Sequence, residues 1–315
     1  MASPKKASGL IGKITGSFRK KKADDKPKAP AADQVAADAA KAAPKAEKKA
    51  WPANRLNVIE QLWGEGYTTP GGAVRVKQFA PLLELDEKKS LLLLGAGLGG
   101  ISETLIEDTG VWITGLEPDP ELAKMGHESM ARAGHKRKAP IRHSDLEALQ
   151  LKPKSFDAML ALDGIQYVQD KKALFESVTA SLRLNAEMLF VTFVLPDTNP
   201  PSKKVEIWAK HQSLPVHLWP AQAMMGMLGQ MDLEVRPPDD VTRDFRNCVL
   251  KAWVNFLSTM DRKELLSKAA DVVGECERWA DMITAIDAGE LKILKFNCIR
   301  IAERRKSVEE LMAQA

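Results

Sequence analysis

The segment Leu91-Leu92-Leu93-Leu94-Gly95-Ala96-Gly97-Leu98-Gly99-Gly100 joins a wholly apolar run to a cluster of glycines. A run such as Ser90–Leu94 suits a strand buried on both faces of a parallel sheet. The glycines then permit an abrupt turn into a helix and let the backbone approach a nucleoside closely. The N-terminus of that helix offers free N–H groups to a ligand. Glu117 follows, at the end of the next predicted strand. A carboxylate there can accept hydrogen bonds from both hydroxyls of a ribose. Gly95, Gly97 and Gly100 equally fit a dinucleotide-binding GxGxxG, and a ligand-free strand-to-helix turn is the plainest alternative.

These residues need elements to position them. The pattern predicts strands at Ser90–Leu94, Val111–Leu116, Pro140–His143, Phe156–Leu162, Glu187–Leu195, Leu233–Val235 and Leu294–Ala302. It predicts helices over Asn54–Trp63, Ala73–Leu83, Ile101–Glu107, Pro120–Ala133 and Lys172–Leu182. Two further helices, Phe245–Met260 and Lys263–Ile286, precede the last strand. Alternation of this kind is an α/β fold with a doubly wound parallel sheet. Met224, Met225, Met227 and Met231 mark a methionine-rich helix, expected as soft core packing or as one wall of an apolar acceptor pocket.

The combination resembles the class I S-adenosylmethionine-dependent methyltransferases over residues 51–305. Gly95, Gly97 and Gly99 match the family's GxGxG, with Ala96 between them. Glu117, followed by Pro118, matches its ribose-binding acid. His143-Ser144-Asp145-Leu146 matches the loop beside the adenine, and Phe156-Asp157-Ala158-Met159 its fourth strand. The resemblance implies a seven-stranded, mostly parallel Rossmann-like sheet with helices on both faces and a helical insertion before the last strand. It also implies S-adenosyl-L-methionine as cofactor. A nicotinamide-linked reductase does not predict the 143–146 and 156–159 pieces in that order.

A narrower resemblance joins Leu62–Gly72 to the phosphoethanolamine and sarcosine/dimethylglycine N-methyltransferases. Their opening loop covers the cofactor and sets an aromatic group near the reacting centre. Tyr67 and Thr69 stand at the matching positions, beside Trp63. The stretch is also good turn chemistry for an ordinary surface loop. After the fourth strand, Asp163-Gly164-Ile165-Gln166-Tyr167 matches a D-x-I-x-H segment, with Tyr167 in place of histidine. Leu93 stands where the family often has an acid. Tyr67, Asp163 and Tyr167 are therefore the candidates for orienting or relaying a proton. Trp219, Arg243 and Arg246 are candidates for the acceptor side, weighed against a plain helix start near Asp240–Thr242 with solvent-facing arginines.

Charge is divided along the chain. Residues 1–50 hold 13 Lys/Arg against 5 Asp/Glu, a net of +8, whereas the remainder carries −4. The folded part thus gives no reason to expect nucleic-acid binding. The Ala/Lys/Pro-rich tail over 1–50 is expected to be disordered, with the domain over 51–315. Within the tail, Leu10, Ile11, Ile14 and Phe18 share a helical face ahead of Arg19-Lys20-Lys21-Lys22. That pattern suits either docking to an anionic membrane surface or a protein partner, or a solubilising tail. Each basic residue near such a surface contributes roughly 1 kcal/mol. Cys248, Cys276 and Cys298 form no CxxC and read as free thiols, and the five histidines show no metal-ligand spacing. No run of apolar residues is long enough to span a membrane, so a cytoplasmic protein, peripheral on the inner membrane face through its tail, is expected. The expected function is methyl transfer to a small-molecule or lipid-like acceptor, N- or O-directed. The alternative is a catalytically silent methyltransferase fold that serves as a scaffold.

Overall fold

The computed structural model describes residues 51–302. The amphipathic segment at Leu10–Lys22 lies outside them. Helix α1 (Ala53–Trp63) and α2 (Gly72–Phe79), with a 3₁₀ turn over Ala80–Leu83, precede the first strand. Then come β1 (Ser90–Leu94), α3 (Gly100–Thr109), β2 (Trp112–Glu117), α4 (Pro120–Arg132), β3 (Ile141–His143), β4 (Phe156–Leu162), α5 (Lys171–Ser181) and β5 (Leu182–Val194). The second half runs α6 (Lys203–Lys210), α7 (Ala221–Leu228), β6 (Leu233–Val235), β7 (Asp239–Asp240), α8 (Thr242–Thr259), α9 (Arg262–Ser267), α10 (Ala269–Asp287) and β8 (Lys292–Arg300).

The sheet order is β3-β2-β1-β4-β5-β8-β6, with the two-residue β7 also paired to β8. Pairs from β3 through β5 are parallel, and β8 runs antiparallel to both β5 and β6. The chain leaves β1 in one direction for β2 and β3, then returns to β4 on the other side. That reversal opens a crevice at the carboxyl ends of β1 and β4, the usual place for a ligand in an open α/β sheet.

Burial explains why this order holds. Leu91–Leu94 are fully buried between β2 and β4, as a continuous apolar run requires. On one face of the sheet α1, α2, α8 and α10 pack through Ile59, Val76, Val249 and Met282. On the other face α5 and α7 pack through Phe175, Val178 and Met224, against Phe190 stacked on Phe296 at 4.7 Å. Met224, Met227 and Met231 are buried in this second core, so the methionine-rich stretch is packing and not a pocket wall.

Local differences from the sequence expectation have local causes. The predicted helix over Lys263–Ile286 is two helices, because Lys268 leaves helical geometry at φ −113°, ψ 14°. Strand β5 begins at Leu182, five residues early, and its pairing with β4 is irregular there, with Asn185 at φ 65°. Helix α6 went unpredicted. Ser202 caps it through its hydroxyl, and Val205 and Trp208 are its buried face. Among the described residues no helix is long and apolar enough to cross a membrane.

Candidate active site

A cleft with about 870 Å³ of open space lies at the switch between β1 and β4. Its floor is the glycine turn. Gly95 N and Ala96 N both donate to Leu116 O, at 2.8 and 3.3 Å, fastening the turn to β2. Gly97 lines the cleft with φ +55°, a backbone geometry that side chains resist. Its N–H donates to Glu117 Oε2 at 2.8 Å. Gly100 is required for another reason: a Cβ there would meet the Tyr67 ring at 2.7 Å and Gly66 O at 2.8 Å.

Glu117 also accepts from Asp119 N through Oε1 at 2.9 Å. Burial pushes its carboxyl up to about 7, with these backbone bonds pulling the other way. Each carboxylate oxygen retains lone pairs beyond the single bond it accepts. Pro118 follows on the cleft wall. Asp119 caps α4 and accepts from Trp51 Nε1 at 2.7 Å. An adjoining recess of about 740 Å³ contains His143, Asp145 and Leu146, and shares Pro118, Tyr167 and Leu214 with the cleft. The cofactor-side residues suggested by the sequence thus line two recesses that share Pro118, save Ala96 and Gly99, which shape the turn behind the cleft.

The suggested catalytic residues separate. Asp163 lines the cleft at φ 61° but forms a two-point ion pair with Arg75, through Nη1 to Oδ2 and through Nη2 to Oδ1 at 3.0 Å. It is therefore a charge held in place and not an unengaged base. Tyr167 lines both recesses, and its hydroxyl donates to Gln212 Oε1 at 3.4 Å. Burial pushes that hydroxyl up to about 12, so it keeps its proton near neutral pH.

Tyr67 faces away from the cleft. Its hydroxyl donates to Gly100 O at 2.8 Å and meets Thr104 Oγ1 at 2.5 Å. Gly100 N donates to Gly66 O at 3.0 Å, so the opening loop and the start of α3 are bolted together. Tyr67→Phe removes two buried hydrogen bonds and should cost about 1–2 kcal/mol. For a domain of this size that is roughly 2–8 °C in Tm. Cofactor affinity should stay within about threefold. Thermal denaturation beside a cofactor titration checks this, and turnover lost at intact stability would restore a chemical role for the hydroxyl.

On the acceptor side, Thr69 lines the cleft beside Thr68 and Pro70. The other sequence candidates do not reach it. Trp63 is buried edge-on against Trp279, with ring centroids 5.0 Å apart. The Trp219 ring packs with the second core, and its carbonyl accepts from Leu195 N at 3.1 Å. Arg243 is exposed. Arg246 is paired with Asp287 at 2.6 and 2.8 Å.

In their place the cleft recruits residues that single-motif reading passed over. Arg55 and Ile59 come from α1, at the spacing of four that marks one helical face, and Trp51 comes from just ahead of its N-cap, with the Arg55 guanidinium over its ring at 4.5 Å. Glu275, Arg278 and Trp279 come from α10, at spacings of three and four. Phe193, Trp208 and Phe245 complete the aromatic wall. Glu275 Oε1 accepts from Arg55 Nε at 2.6 Å, and Arg278 Nε stands 3.5 Å from the same oxygen. Burial holds the Arg278 guanidinium below the ordinary arginine range, opposed by Glu275 and reinforced by Arg55. Lys171, fully buried, donates to Val168 O and His217 O at 2.5 and 2.6 Å. It joins the turn carrying Tyr167 to the segment that follows Gln212–Leu214.

Comparison with known proteins finds similarity over the same part of the chain. Residues 92–188 match the methyltransferase domain family. Phosphoethanolamine N-methyltransferase 3 of Arabidopsis thaliana is 25% identical over 238 residues, covering 74% of this chain and 46% of that protein. The chain therefore spans about half the length of the curated relatives it matches. Phosphoethanolamine N-methyltransferase 2 of Haemonchus contortus, solved with S-adenosyl-L-methionine, superposes with a TM-score of 0.65 at 16% identity, covering 78% of this chain and 56% of that one. Geranyl diphosphate C-methyltransferase of Streptomyces coelicolor, solved with S-adenosyl-L-homocysteine, superposes with a TM-score of 0.59 at 17% identity, covering 73% and 76%.

Proposed function

We propose that this chain, by family a class I S-adenosylmethionine-dependent methyltransferase, transfers a methyl group to a small-molecule or lipid-like acceptor, at nitrogen or oxygen. The observation that carries this is the shared cleft: the Gly95–Gly97 turn and Glu117 open onto the same space as an aromatic wall. The residues present suit the cofactor. Glu117 would hold the ribose hydroxyls, and Asp145 and Leu146 would border the adenine. Gln166 Oε1 is buried on the cleft wall and has no hydrogen-bond partner among the described residues, and would accept from the ammonium group. Leu93 is fully buried in the core and cannot take that part.

When bound, S-adenosylmethionine supplies an electrophilic methyl on a sulfonium. The chain's own contribution is to bring the partners together and exclude water. Tyr167, retaining its proton, would orient the acceptor by hydrogen bonding, and Arg75 would keep Asp163 in place beneath it. The rings of Trp208, Phe193 and Phe245 would face a cationic product. Incubation with methyl-labelled cofactor and a small-molecule extract should yield a labelled product of low mass. Cofactor binding with no label transferred to any acceptor would favour the silent scaffold.

The tail reading belongs here too. Basic and apolar residues over Leu10–Lys22 support docking to anionic lipid. Full-length protein should sediment with anionic liposomes at low salt and be released by high salt. Sedimentation equal to that of a chain lacking residues 1–50 would contradict it.

A further inference from the structure

Helix α8 is apolar on two sides. Phe245, Val249, Trp253 and Phe256 are its buried face, within the core on that side of the sheet. A surface helix ordinarily sets polar residues on its remaining face. Here Leu250, Val254 and Leu257 stand 38%, 69% and 53% exposed, at spacings of four and three that make one line along the helix. Arg243 falls on the same line, so that from it to Leu257 the row is about 21 Å long. Single exposed apolar residues are ordinary, but a contiguous row of them marks a surface that meets something.

The charge around this row is the reverse of the domain's. Residues 242–268 hold six Lys/Arg against three Asp/Glu, a net of +3, whereas the other residues of 51–315 hold 27 against 34, a net of −7. Two of the six cations are engaged, Arg246 by Asp287 and Lys268 by Glu264. Arg243, Lys251, Arg262 and Lys263 are exposed and make no ion pair among the described residues. They bracket the row, with Arg243 at one end, Lys251 on its flank, and Arg262 and Lys263 just beyond the end of α8. Of the acids, Asp261 caps α9 and Glu264 is taken by Lys268, while Asp244 lies roughly 100° round the helix from Arg243. The row carries no aromatic residue, whereas protein-binding hot spots are rich in tryptophan and tyrosine and interface cores are poor in lysine. Aliphatic residues bordered by cations on a surface helix suit the boundary between acyl chains and anionic headgroups. We infer that the outer face of α8, with the start of α9, docks this domain on an anionic lipid surface. The inference stands apart from the tail and from the methyl-transfer reading. Phe245, on the inner side of the same helix, lines the cleft, so docking brings the cleft to about one helix diameter, roughly 10 Å, from the bilayer.

Full-length protein is sedimented at low salt with vesicles of phosphatidylcholine containing about one-third phosphatidylserine. Val254→Ser/Leu257→Ser should raise the lipid concentration for half-binding at least fivefold, and Lys251→Gln/Arg262→Gln/Lys263→Gln at least tenfold. The tail is present in every variant, so its contribution is common to all. Val74→Ser, at an exposed apolar residue of α2 off the row, should leave binding unchanged. Every substitution is at an exposed position, so thermal denaturation should find each variant about as stable as the wild type. The apolar and basic sets test the surface separately, and either serves if the other does not fold. Half-binding unchanged in a folded variant of either set overturns the inference, since the tail then docks alone. So does an equal loss in Val74→Ser, which makes the effect one of surface hydrophobicity in general. A wild type that is dimeric by ultracentrifugation without lipid, and monomeric as Val254→Ser/Leu257→Ser, gives the row to a second copy and also overturns it. A wild type that does not sediment with these vesicles overturns it outright.

Discussion

Arg75→Ala should lower stability by about 3–5 kcal/mol, because it strands a buried carboxylate. Asp163 is 8% exposed and has both oxygens engaged by the Arg75 guanidinium. With so little of Asp163 exposed on the cleft wall, water replaces the guanidinium only in part. Arg75 also lies over the Phe245 ring at 5.0 Å, so its removal opens space beside the cleft wall. At roughly 2–4 °C per kcal/mol for a domain of this size, Tm should fall by about 10 °C. Asp163→Asn is the informative companion. Asparagine accepts the left-handed backbone at φ 61° as readily as aspartate does, and its carbonyl still accepts one guanidinium bond. Combined with Arg75→Met it leaves no charge at the site and should recover part of the loss. Thermal denaturation of the three variants checks this. A loss below 1 kcal/mol in Arg75→Ala would mean that the Asp163 charge is solvated, and the rigid floor of the cleft would go with it.

Glu117→Gln should reduce cofactor affinity at least a hundredfold. Two charge-assisted bonds from the ribose hydroxyls weaken, each worth about 1.5–3 kcal/mol, and the glutamine amide cannot accept from both Gly97 N and Asp119 N. The wild type carries a pH signature of the same residue. Its carboxyl is raised from 4.5 to about 7 in the cofactor-free fold, so between those values the native state binds more protons than the unfolded chain. Stability of the cofactor-free protein therefore falls as pH rises through that window, by about 3 kcal/mol from this group. Ribose hydroxyls donate, and so favour the ionised form. Cofactor affinity should consequently rise with pH, up to about tenfold per unit below 7, and level off above it. Calorimetry at several pH values reads both the slope and its disappearance in Glu117→Gln. A flat wild-type profile would show that the ribose is held elsewhere.

What the sequence disclosed follows from the range of the forces involved. Leu91–Leu94 and Phe156–Leu162 announce themselves as strands because burial on both faces needs nothing but a continuous apolar run. The glycine turn and Glu117 are equally local, since the turn ends one strand and the acid ends its neighbour, and the sheet pairs Leu94 with Leu116. Side-chain direction was not legible. Tyr67 sits in a loop that resembles an active-site cover, yet its ring turns toward α3 because Gly100 leaves room for it. Arg75 and Asp163 are 88 residues apart, and nothing near either names the other. Arg246 finds Asp287 across 41 residues and is thereby withdrawn from the acceptor side. The α10 wall left a faint trace, a Glu-x-x-Arg-Trp face on an amphipathic helix. Its meaning appears only when the insertion folds back over the carboxyl ends of the strands.

Isothermal titration of the full chain with S-adenosylmethionine tests the central claim most directly. The cleft built from Gly95, Gly97, Glu117 and Asp145 predicts saturable binding of one cofactor per chain, abolished or greatly weakened in Glu117→Gln. No heat of binding up to millimolar cofactor, from protein shown to be folded, would contradict it.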